Sequence, residues 1–263
     1  MAGCFALGFG SVEIGTVTPL PQPGNPKPRV FRLPEDKAFI NRYGFNSDGM
    51  EVVASRLAKW RKIRLADQLL GVNIGANKTS KNKVEDYYIV CLRLAKLVDY
   101  ITINVSSPNT SGIRDLQRSA SLKKIIKSVK FALAEINIVK PIFIKLSPDL
   151  NKHELLSAIE VLLNEGISGV IISNTTISRF GLRNMKNNEQ FGGLSGEPLF
   201  RLSCEKLSEA YSLAGGQIAF VGVGGISTVK DAYIKILLGA DILQLYSSLA
   251  LNGPHIANLI NTG

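Results

Sequence analysis

The sequence predicts an α/β fold of the (β/α)8, or TIM, barrel class, and two observations carry this prediction. Seven short apolar runs, rich in β-branched residues, alternate with segments of helical periodicity, as parallel strands covered by helices do. Polar side chains or glycines stand at the end of every apolar run. A barrel collects all its strand ends at one mouth, whereas an open sheet concentrates ligand groups at one switch point, so the pattern favours the barrel.

The strand predictions follow the β-branched runs, and the helix predictions follow the apolar periodicity between them. The strands are predicted at residues 12–17, 69–75, 100–106, 141–147, 169–175, 219–224 and 242–247. The helices are predicted at residues 48–67, 84–97, 119–136, 152–165, 198–214 and 228–238, with a short helix after Pro254. Residues 2–9 have the Ala/Leu/Gly pattern of a helix end. We therefore expect an N-terminally truncated barrel with seven of its eight strands.

Residues 18–49 interrupt the alternation of strand and helix. The segment is longer than an ordinary βα loop, and long loops within compact domains are usually functional. Its prolines predict an extended start, and two short alternating runs follow at residues 29–33 and 38–42. We expect one domain over residues 1–263, in which residues 18–49 are an insertion over the barrel mouth.

Composition and charge exclude several classes of protein. The longest apolar runs are far shorter than the ~20 residues of a transmembrane helix. The formal net charge is +10, but the lysines of residues 119–136 fall on one face of an amphipathic helix, so we predict no nucleic-acid partner. Cys4, Cys91 and Cys204 lack the spacing of a disulfide framework or a zinc site, and we predict no bound metal.

Two features at the predicted strand ends indicate an anionic ligand. Residues 221–227 end a strand at Gly224 and Gly225 and open a helix, so their backbone N–H groups can bind a phosphate. Lys145 places a cation in an apolar strand, which is unfavourable without a partner. This lysine suits either a Schiff-base nucleophile or a fixed positive charge beside an electron-rich cofactor.

Amide side chains follow three of the predicted strands. Asn73, Asn104 and Asn174 offer both donors and acceptors to a planar ligand that carries amide or carboxylate groups. Residues 104–110 add a dense cluster of Asn, Ser and Thr. His153 begins a predicted helix and His255 lies near the C-terminus, so we expect neither beside this cluster, which disfavours a Ser-His-Asp hydrolase.

Together the motifs of this chain resemble those of the dihydroorotate dehydrogenase family. The members of this family are flavin enzymes of pyrimidine biosynthesis. The resemblance extends over nearly the whole chain and rests on VEIGTVTP (12–19), GNPKPR (24–29), INRYGFN (40–46), NVSSPNT (104–110), SNTT (173–176), GGLSG (192–196) and VGVGG (221–225). It implies a (β/α)8 barrel with FMN at its mouth. The implied activity is oxidation of (S)-dihydroorotate to orotate in the synthesis of UMP.

The resemblance also implies a role for each site residue. The residues expected to hold FMN and its phosphate are Thr16, Asn73, Asn104, Lys145, Ser173, Gly196, Gly225, Tyr246 and Ser247. The residues expected to contact the substrate are Asn41, Arg42, Tyr43, Gly44, Phe45, Asn104, Asn109, Asn174 and Thr175. Ser107 corresponds to the catalytic base, which removes the C5 proton of dihydroorotate while hydride passes from C6 to N5 of the flavin.

A serine at the position of the base implies the quinone-using class, since the soluble class has cysteine there. Arg32 corresponds to a residue near the quinone tunnel of that class. The implied partners are dihydroorotate, orotate and a quinone. The implied location is peripheral on a membrane, either the cytoplasmic face of a bacterial inner membrane or the mitochondrial inner membrane.

The chain departs from the family pattern before residue 12. The family's first strand ends in Ala-Ala-Gly-(Phe/Tyr)-Asp-Lys, and neither this motif nor the N-terminal membrane segment is found in these residues. Because a barrel without one strand has two open edges, we expect weak or absent FMN binding by these 263 residues. The alternatives are a catalytically inactive truncated barrel and a flavin-free Schiff-base barrel enzyme that uses Lys145.

Overall fold

A curled parallel sheet dominates the computed structural model, which describes residues 1–183, 187 and 189–263. In spatial order its strands are β1 (Ser11–Val17), β4 (Leu69–Ile74), β5 (Tyr100–Asn104), β6 (Ile142–Leu146), β7 (Gly169–Ile172), β9 (Ala219–Val223) and β10 (Ile242–Gln244). Each pairs in parallel with its neighbour. The seven predicted strands are confirmed, although several end up to three residues earlier than predicted.

Helices cover the convex side of this sheet, as the alternating pattern predicts. Within the described part of the chain they are α1 (Ala2–Ala6), α2 (Met50–Arg61), α3 (Lys83–Leu94), α4 (Ser119–Glu135), α5 (Lys152–Asn164), α6 (Phe200–Ala214), α7 (Val229–Leu237), α8 (Ser247–Asn252) and α9 (Ile256–Thr262). The predicted helix at 48–67 is shorter than expected. The strand predicted to reach Ser247 stops at Gln244, and Ser247 instead begins α8. Among the described residues, no helix is long and apolar enough to span a membrane.

Local sequence signals explain where several helices begin. Asn151 caps α5 and Thr228 caps α7, and each forms a capping box with the acidic residue three positions later. In α4 the apolar residues form a buried stripe that faces the sheet, while its lysines remain on the outer face. The amphipathic pattern therefore marks which face of each helix packs on the strands.

A second, antiparallel sheet lies beside the carboxyl ends of the main strands. It consists of β2 (Val30–Leu33), β3 (Ala38–Asn41) and β8 (Gly193–Gly196), with β3 in the middle. Its core is a separate cluster of four buried side chains, Leu33, Ala38, Ile40 and Leu194. The two alternating runs predicted within residues 18–49 are thus confirmed as strands. The third strand was missed because two of its four residues are glycines, which have low β-propensity.

Gly193 occupies its strand for a steric reason. A Cβ at this position would lie 1.9 Å from Oγ1 of Thr175 and 3.1 Å from the ring of Pro108. Glycine therefore lets β8 approach the ends of β5 and β7 more closely than any other residue would allow. This approach brings the small sheet over the strand ends that carry the predicted site residues.

A half-buried ion pair fastens the amino end of the main sheet. Asp99 accepts hydrogen bonds from the guanidinium of Arg64 and, at 2.8 Å, from the backbone N–H of Leu70. Burial alone would raise the pKa of Asp99, but these hydrogen bonds outweigh it and hold the pKa below its usual range. The carboxylate therefore stabilises the fold above its unfolded-state pKa, and this contribution is lost as the pH falls through the folded pKa.

We expect Asp99→Asn to lower the free energy of unfolding by roughly 1–3 kcal/mol at pH 7, because it leaves Arg64 half-buried without its counter-charge. The difference should shrink as the pH falls from about 4, where aspartate in the unfolded chain becomes protonated, through the lower pKa of Asp99 in the folded chain. Denaturant unfolding at several pH values measures both effects. Asp115→Asn, which removes an exposed partner of Arg118, is the control and should leave stability unchanged. Equal losses in the two variants would contradict the assignment.

Candidate active site

A large cavity lies on the concave side of the main sheet, where its strands end. Its volume is about 1430 Å³, and alternate residues of the strands line it. Phe143 and Lys145 of β6 show this alternation, as do Val221 and Val223 of β9. Because successive side chains of a strand point to opposite faces, the same strands bury their other residues under the helices.

The predicted site residues come together in this cavity, with one exception. Those that line it are Thr16, Arg32, Asn41, Tyr43, Gly44, Phe45, Asn73, Asn104, Ser107, Asn109, Lys145, Ser173, Asn174, Thr175, Gly196, Gly225, Tyr246 and Ser247. Arg42 is not among them. Its guanidinium donates to Oε1 of Gln190 at 3.0 Å and lies 4.5 Å from the centroid of the Phe31 ring, at the rim of a smaller neighbouring pocket.

A connected network of amides forms one wall of the cavity. The hydroxyl of Thr16 donates to Oδ1 of Asn73 at 2.6 Å, and Nδ2 of Asn104 donates to both of these residues at 3.1 Å. Nδ2 of Asn174 continues the network by donating to Oγ of Ser106 at 2.9 Å. Each amide is thereby held in one orientation, which prepares the wall to bind a ligand with fixed donor and acceptor positions.

Glu13 anchors the lower end of this network, and the sequence reading missed it. Its carboxylate accepts from Nδ2 of Asn73 at 2.9 Å and from the hydroxyl of Thr102 at 2.6 Å. The sequence feature that could have identified Glu13 is a single acidic residue within an apolar strand, which is unfavourable unless its oxygens accept hydrogen bonds. Glu13 thus determines which end of the Asn73 amide faces the carboxylate and which faces the cavity.

Lys145 stands in the middle of the cavity wall. Its ammonium donates to Oε1 of Gln244 in β10 at 3.1 Å. Desolvation lowers the pKa of Lys145 below the usual lysine range, although the negative charge of Glu13 acts in the opposite direction. An anionic group bound beside the ammonium would favour its charged form. Lys145 is therefore suited to an electron-rich or anionic ligand.

The loop after β5 places Ser107 and Asn109 beside the small sheet. The backbone N–H of Asn109 donates to Oγ of Ser107 at 3.2 Å, and its side-chain Nδ2 donates to Oδ1 of Asn41 at 3.2 Å. Oδ1 of Asn109 and Oγ1 of Thr175 are buried and find no hydrogen-bond partner among the described residues. A buried acceptor without a donor is unfavourable, so these two atoms indicate where a polar ligand completes the site.

The Gly224–Gly225 turn, which follows β9, forms another part of the wall. Both residues have positive φ values, +112° and +74°, and a Cβ on Gly225 would lie 2.5 Å from Cα of Phe200. Within the described part of the chain, the backbone N–H groups of Gly225 and Ile226 make no hydrogen bond. The turn therefore presents free N–H donors at the cavity, as the phosphate prediction requires.

Arg114 joins the loops that follow β5, β6 and β7, and sequence reasoning did not identify it. Its guanidinium pairs with Asp149 at 2.8 Å and donates to the carbonyl oxygens of Ser106 and Thr175. The two charged residues lie on different loops, so only the folded chain brings them together. Elsewhere among the described residues, no cluster of His, Cys, Asp and Glu is placed to hold a metal ion.

The fold and the cavity define an α/β protein of the TIM-barrel type whose candidate ligand site lies where its parallel strands end. Residues 1–263 match the sequence profile of the family described as dihydroorotate dehydrogenase. The chain belongs to the dihydroorotate dehydrogenase family, whose known cofactor is a flavin. The resemblance inferred from the motifs is thereby confirmed.

Relatives from bacteria carry a more specific name. The chain is 48% identical over 258 residues to the dihydroorotate dehydrogenase (quinone) of Parvibaculum lavamentivorans, a match that covers 98% of this chain and 72% of that protein. It is 46% identical over 256 residues to the protein of the same name from Bartonella tribocorum, covering 96% of this chain and 70% of the relative.

The similarity extends to solved structures. The crystal structure of DHODH from Eimeria tenella in complex with ferulenol matches with a TM-score of 0.94 at 39% identity, covering 98% of this chain and 74% of that one. The ligand-free type of the same enzyme matches with a TM-score of 0.92 at 40% identity, covering 96% of this chain and 76% of that one. The predicted fold class is thus confirmed.

Proposed function

We propose that this chain oxidises (S)-dihydroorotate to orotate with FMN as cofactor and a quinone as electron acceptor, in the biosynthesis of UMP. The observation that carries the proposal is one cavity that combines Lys145 and the Gly224–Gly225 turn with Ser107 and the network of amides described above. The names of the bacterial relatives support it. We further propose that residues 1–263 act as one FMN-binding domain, with residues 18–49 covering the mouth of the barrel.

The residues of the cavity fit FMN. The amides of Asn73 and Asn104 offer donors and acceptors to the polar edge of a flavin, and Lys145 offers a positive charge. The free N–H groups of Gly225 and Ile226 suit its phosphate. The remaining residues proposed for this role, Thr16, Ser173, Gly196, Tyr246 and Ser247, line the same cavity. When bound, FMN supplies the acceptor for the hydride of the substrate.

The other side of the cavity suits a small carboxylate with an amide ring. The unpartnered Oδ1 of Asn109 can accept from a ring N–H, and the side chains of Asn41 and Asn174 can orient neighbouring polar atoms. The proposed contacts Tyr43, Gly44, Phe45, Asn104 and Thr175 lie around the same space. We propose that Arg42 contributes by supporting this side, since its guanidinium holds the carbonyl of Phe191 next to β8.

Ser107 is the proposed catalytic base. Its Oγ is buried at the cavity and would take the C5 proton of dihydroorotate once the hydroxyl's own proton has passed to a solvent water. A serine hydroxyl has a high intrinsic pKa, so the oxygen needs a donor that stabilises its negative charge. The backbone N–H of Asn109, 3.2 Å from Oγ, is such a donor and arises from the loop itself.

The quinone site is proposed on the wall made by the small sheet. Arg32 lies on the exposed face of β2, with its guanidinium 5.3 Å from the centroid of the Phe39 ring, and both residues line the cavity together with Val30. Apolar side chains around a cation suit a quinone, whose ring is apolar and whose oxygens accept hydrogen bonds. Peripheral association with a membrane, where quinones reside, is part of this proposal.

The purified chain tests the proposal directly. We expect reconstitution with FMN to give one flavin per chain and dihydroorotate-dependent reduction of a quinone or a quinone-like dye. The measurement decides between this result and the weak or absent FMN binding that the sequence predicts from the open edges of the sheet, which are β1 and β10. Flavin binding without any response to dihydroorotate would reject the proposed substrate, and the absence of flavin binding would reject the cofactor for this chain.

A further inference from the structure

A buried lysine lies behind the Gly224–Gly225 turn. Lys235, in α7, has no exposed surface, and its ammonium donates to Oγ of Ser203 in α6 at 2.6 Å. Burial lowers the pKa of Lys235 to about 8, while the neighbouring Cys204 thiol and Asp231 carboxylate act in the opposite direction. Burying a charged lysine is unfavourable. Lys235 does not line the cavity, so its burial calls for a role behind the cavity wall.

Ser203 connects this lysine to the turn. A lysine ammonium can only donate, so Oγ of Ser203 accepts from it and keeps its own proton for another acceptor. Two carbonyl oxygens lie at 2.9 Å from Oγ, those of Gly224 and Phe200. The hydroxyl therefore forms a relay from the ammonium to the carbonyl groups behind the turn.

The geometry of the peptide carries this relay to the cavity. The carbonyl of Gly224 and the N–H of Gly225 belong to one peptide group, which is trans and therefore points them in opposite directions. Since the carbonyl faces Ser203, the N–H faces away from it, and Gly225 lines the cavity. A hydrogen bond to the carbonyl also polarises the peptide, which makes its N–H a stronger donor.

Packing keeps the turn against α6, where the relay can reach it. A Cβ on Gly224 would lie 3.0 Å from Cβ and Oγ of Ser203, and one on Gly225 would lie 2.5 Å from Cα of Phe200. Only glycines permit this approach. The turn, Ser203 and Lys235 therefore form one packed unit in which only the turn faces the cavity.

We propose that Lys235 and Ser203 are positioning residues for a phosphate. They orient and polarise the Gly224–Gly225 peptide, and they place a positive charge behind it, so that the N–H of Gly225 binds the phosphate of FMN. Neither residue touches the ligand. This inference rests on the proposed function, which supplies the identity of the ligand, and it assigns to α6 and α7 a part in selecting FMN over riboflavin.

The test compares FMN with riboflavin, which has the same ring system without the phosphate. Fluorescence titration of the 263-residue chain gives the two dissociation constants. We expect Lys235→Met to weaken FMN binding roughly tenfold, because the charged hydrogen-bond relay that supports the phosphate is lost. Riboflavin has no phosphate, so its binding should change little. Lys235→Arg should recover part of the preference for FMN, and Ser203→Ala should lose part of it.

Lys206→Met is the matched control. Lys206 lies in α6, the helix of Ser203, and its ammonium pairs with Glu209 at 2.8 Å, so the variant loses the same charge as Lys235→Met without touching the turn. We expect it to keep the full preference for FMN. A similar loss of preference in Lys206→Met would show that net charge, rather than the relay, selects the phosphate.

The outcomes separate this inference from the proposed function. Binding of neither flavin by the unchanged chain would reject both. FMN bound no more tightly than riboflavin by the unchanged chain would reject the phosphate site. Equal weakening of both flavins by Lys235→Met would show a purely structural lysine. If this variant fails to fold, as judged by circular dichroism, Ser203→Ala decides, and an unchanged preference in it overturns the proposal.

Discussion

Ser107→Ala is expected to lower the rate of dihydroorotate oxidation roughly 10²–10⁴-fold, the usual effect of removing a general base. The methyl group of alanine fills the position of Cβ but has no oxygen to take the C5 proton, while the N–H of Asn109 loses its acceptor. The measurement is steady-state reduction of a quinone-like dye at saturating dihydroorotate. FMN content should be unchanged, because the residues proposed to hold the flavin are untouched.

Two further variants make the Ser107 prediction specific. Ser111→Ala changes an exposed serine of the same loop and should keep the full rate. Ser107→Cys should retain activity, and the rise of the rate with pH that accompanies deprotonation of the base should move to lower pH, since a thiol loses its proton far more readily than a hydroxyl. A rate within threefold of the unchanged chain for Ser107→Ala would exclude Ser107 as the base.

Lys145→Met is expected to weaken FMN binding roughly 10–100-fold, because a charged hydrogen-bond donor in the cavity wall is lost. The same substitution should stabilise the flavin-free chain, although it weakens FMN binding. Desolvation lowers the pKa of Lys145, which means that the folded, ligand-free chain holds the charge unfavourably. We therefore expect Lys145→Met to raise the free energy of unfolding of the flavin-free chain, measured by denaturant titration.

The pKa of Lys145 also gives FMN binding a pH dependence. An anionic ligand favours the protonated ammonium, so affinity for FMN should fall as the pH rises through the lowered pKa, and Lys145→Met should remove this dependence. Lys145→Arg keeps the charge and cannot form a Schiff base. Trapping of a carbonyl substrate on Lys145 by borohydride, in a chain free of flavin, would instead support the Schiff-base alternative.

The sequence predicted much of the fold because its patterns are local. Lys145 was identified because a cation interrupts an apolar strand, and Gly224 and Gly225 because two adjacent glycines follow another. The structure places all three groups in one cavity, as parallel strands whose carboxyl ends meet should do. Alternation along each strand then explains which neighbours face the cavity and which face the helices.

The sequence did not predict features that depend on the curl of the sheet. The carboxylate of Glu13 in β1 reaches Thr102 in β5, two strands away, and no local pattern gives that distance. The pair of Arg114 and Asp149 joins two loops that are separate in the chain. The start of α8 at Ser247 was missed for a different reason, since a short apolar run suits a strand and a helix equally well.

The small sheet gives the two sides of the cavity unequal stiffness. The main strands rest on one extensive hydrophobic core, whereas the separate apolar cluster of β2, β3 and β8 has four buried side chains among the described residues. Local opening costs less free energy where fewer apolar side chains are buried. We therefore expect amide hydrogen exchange to be faster in β3 than in β6. Local opening of the small sheet would release product from the proposed substrate side while the proposed flavin side stays closed.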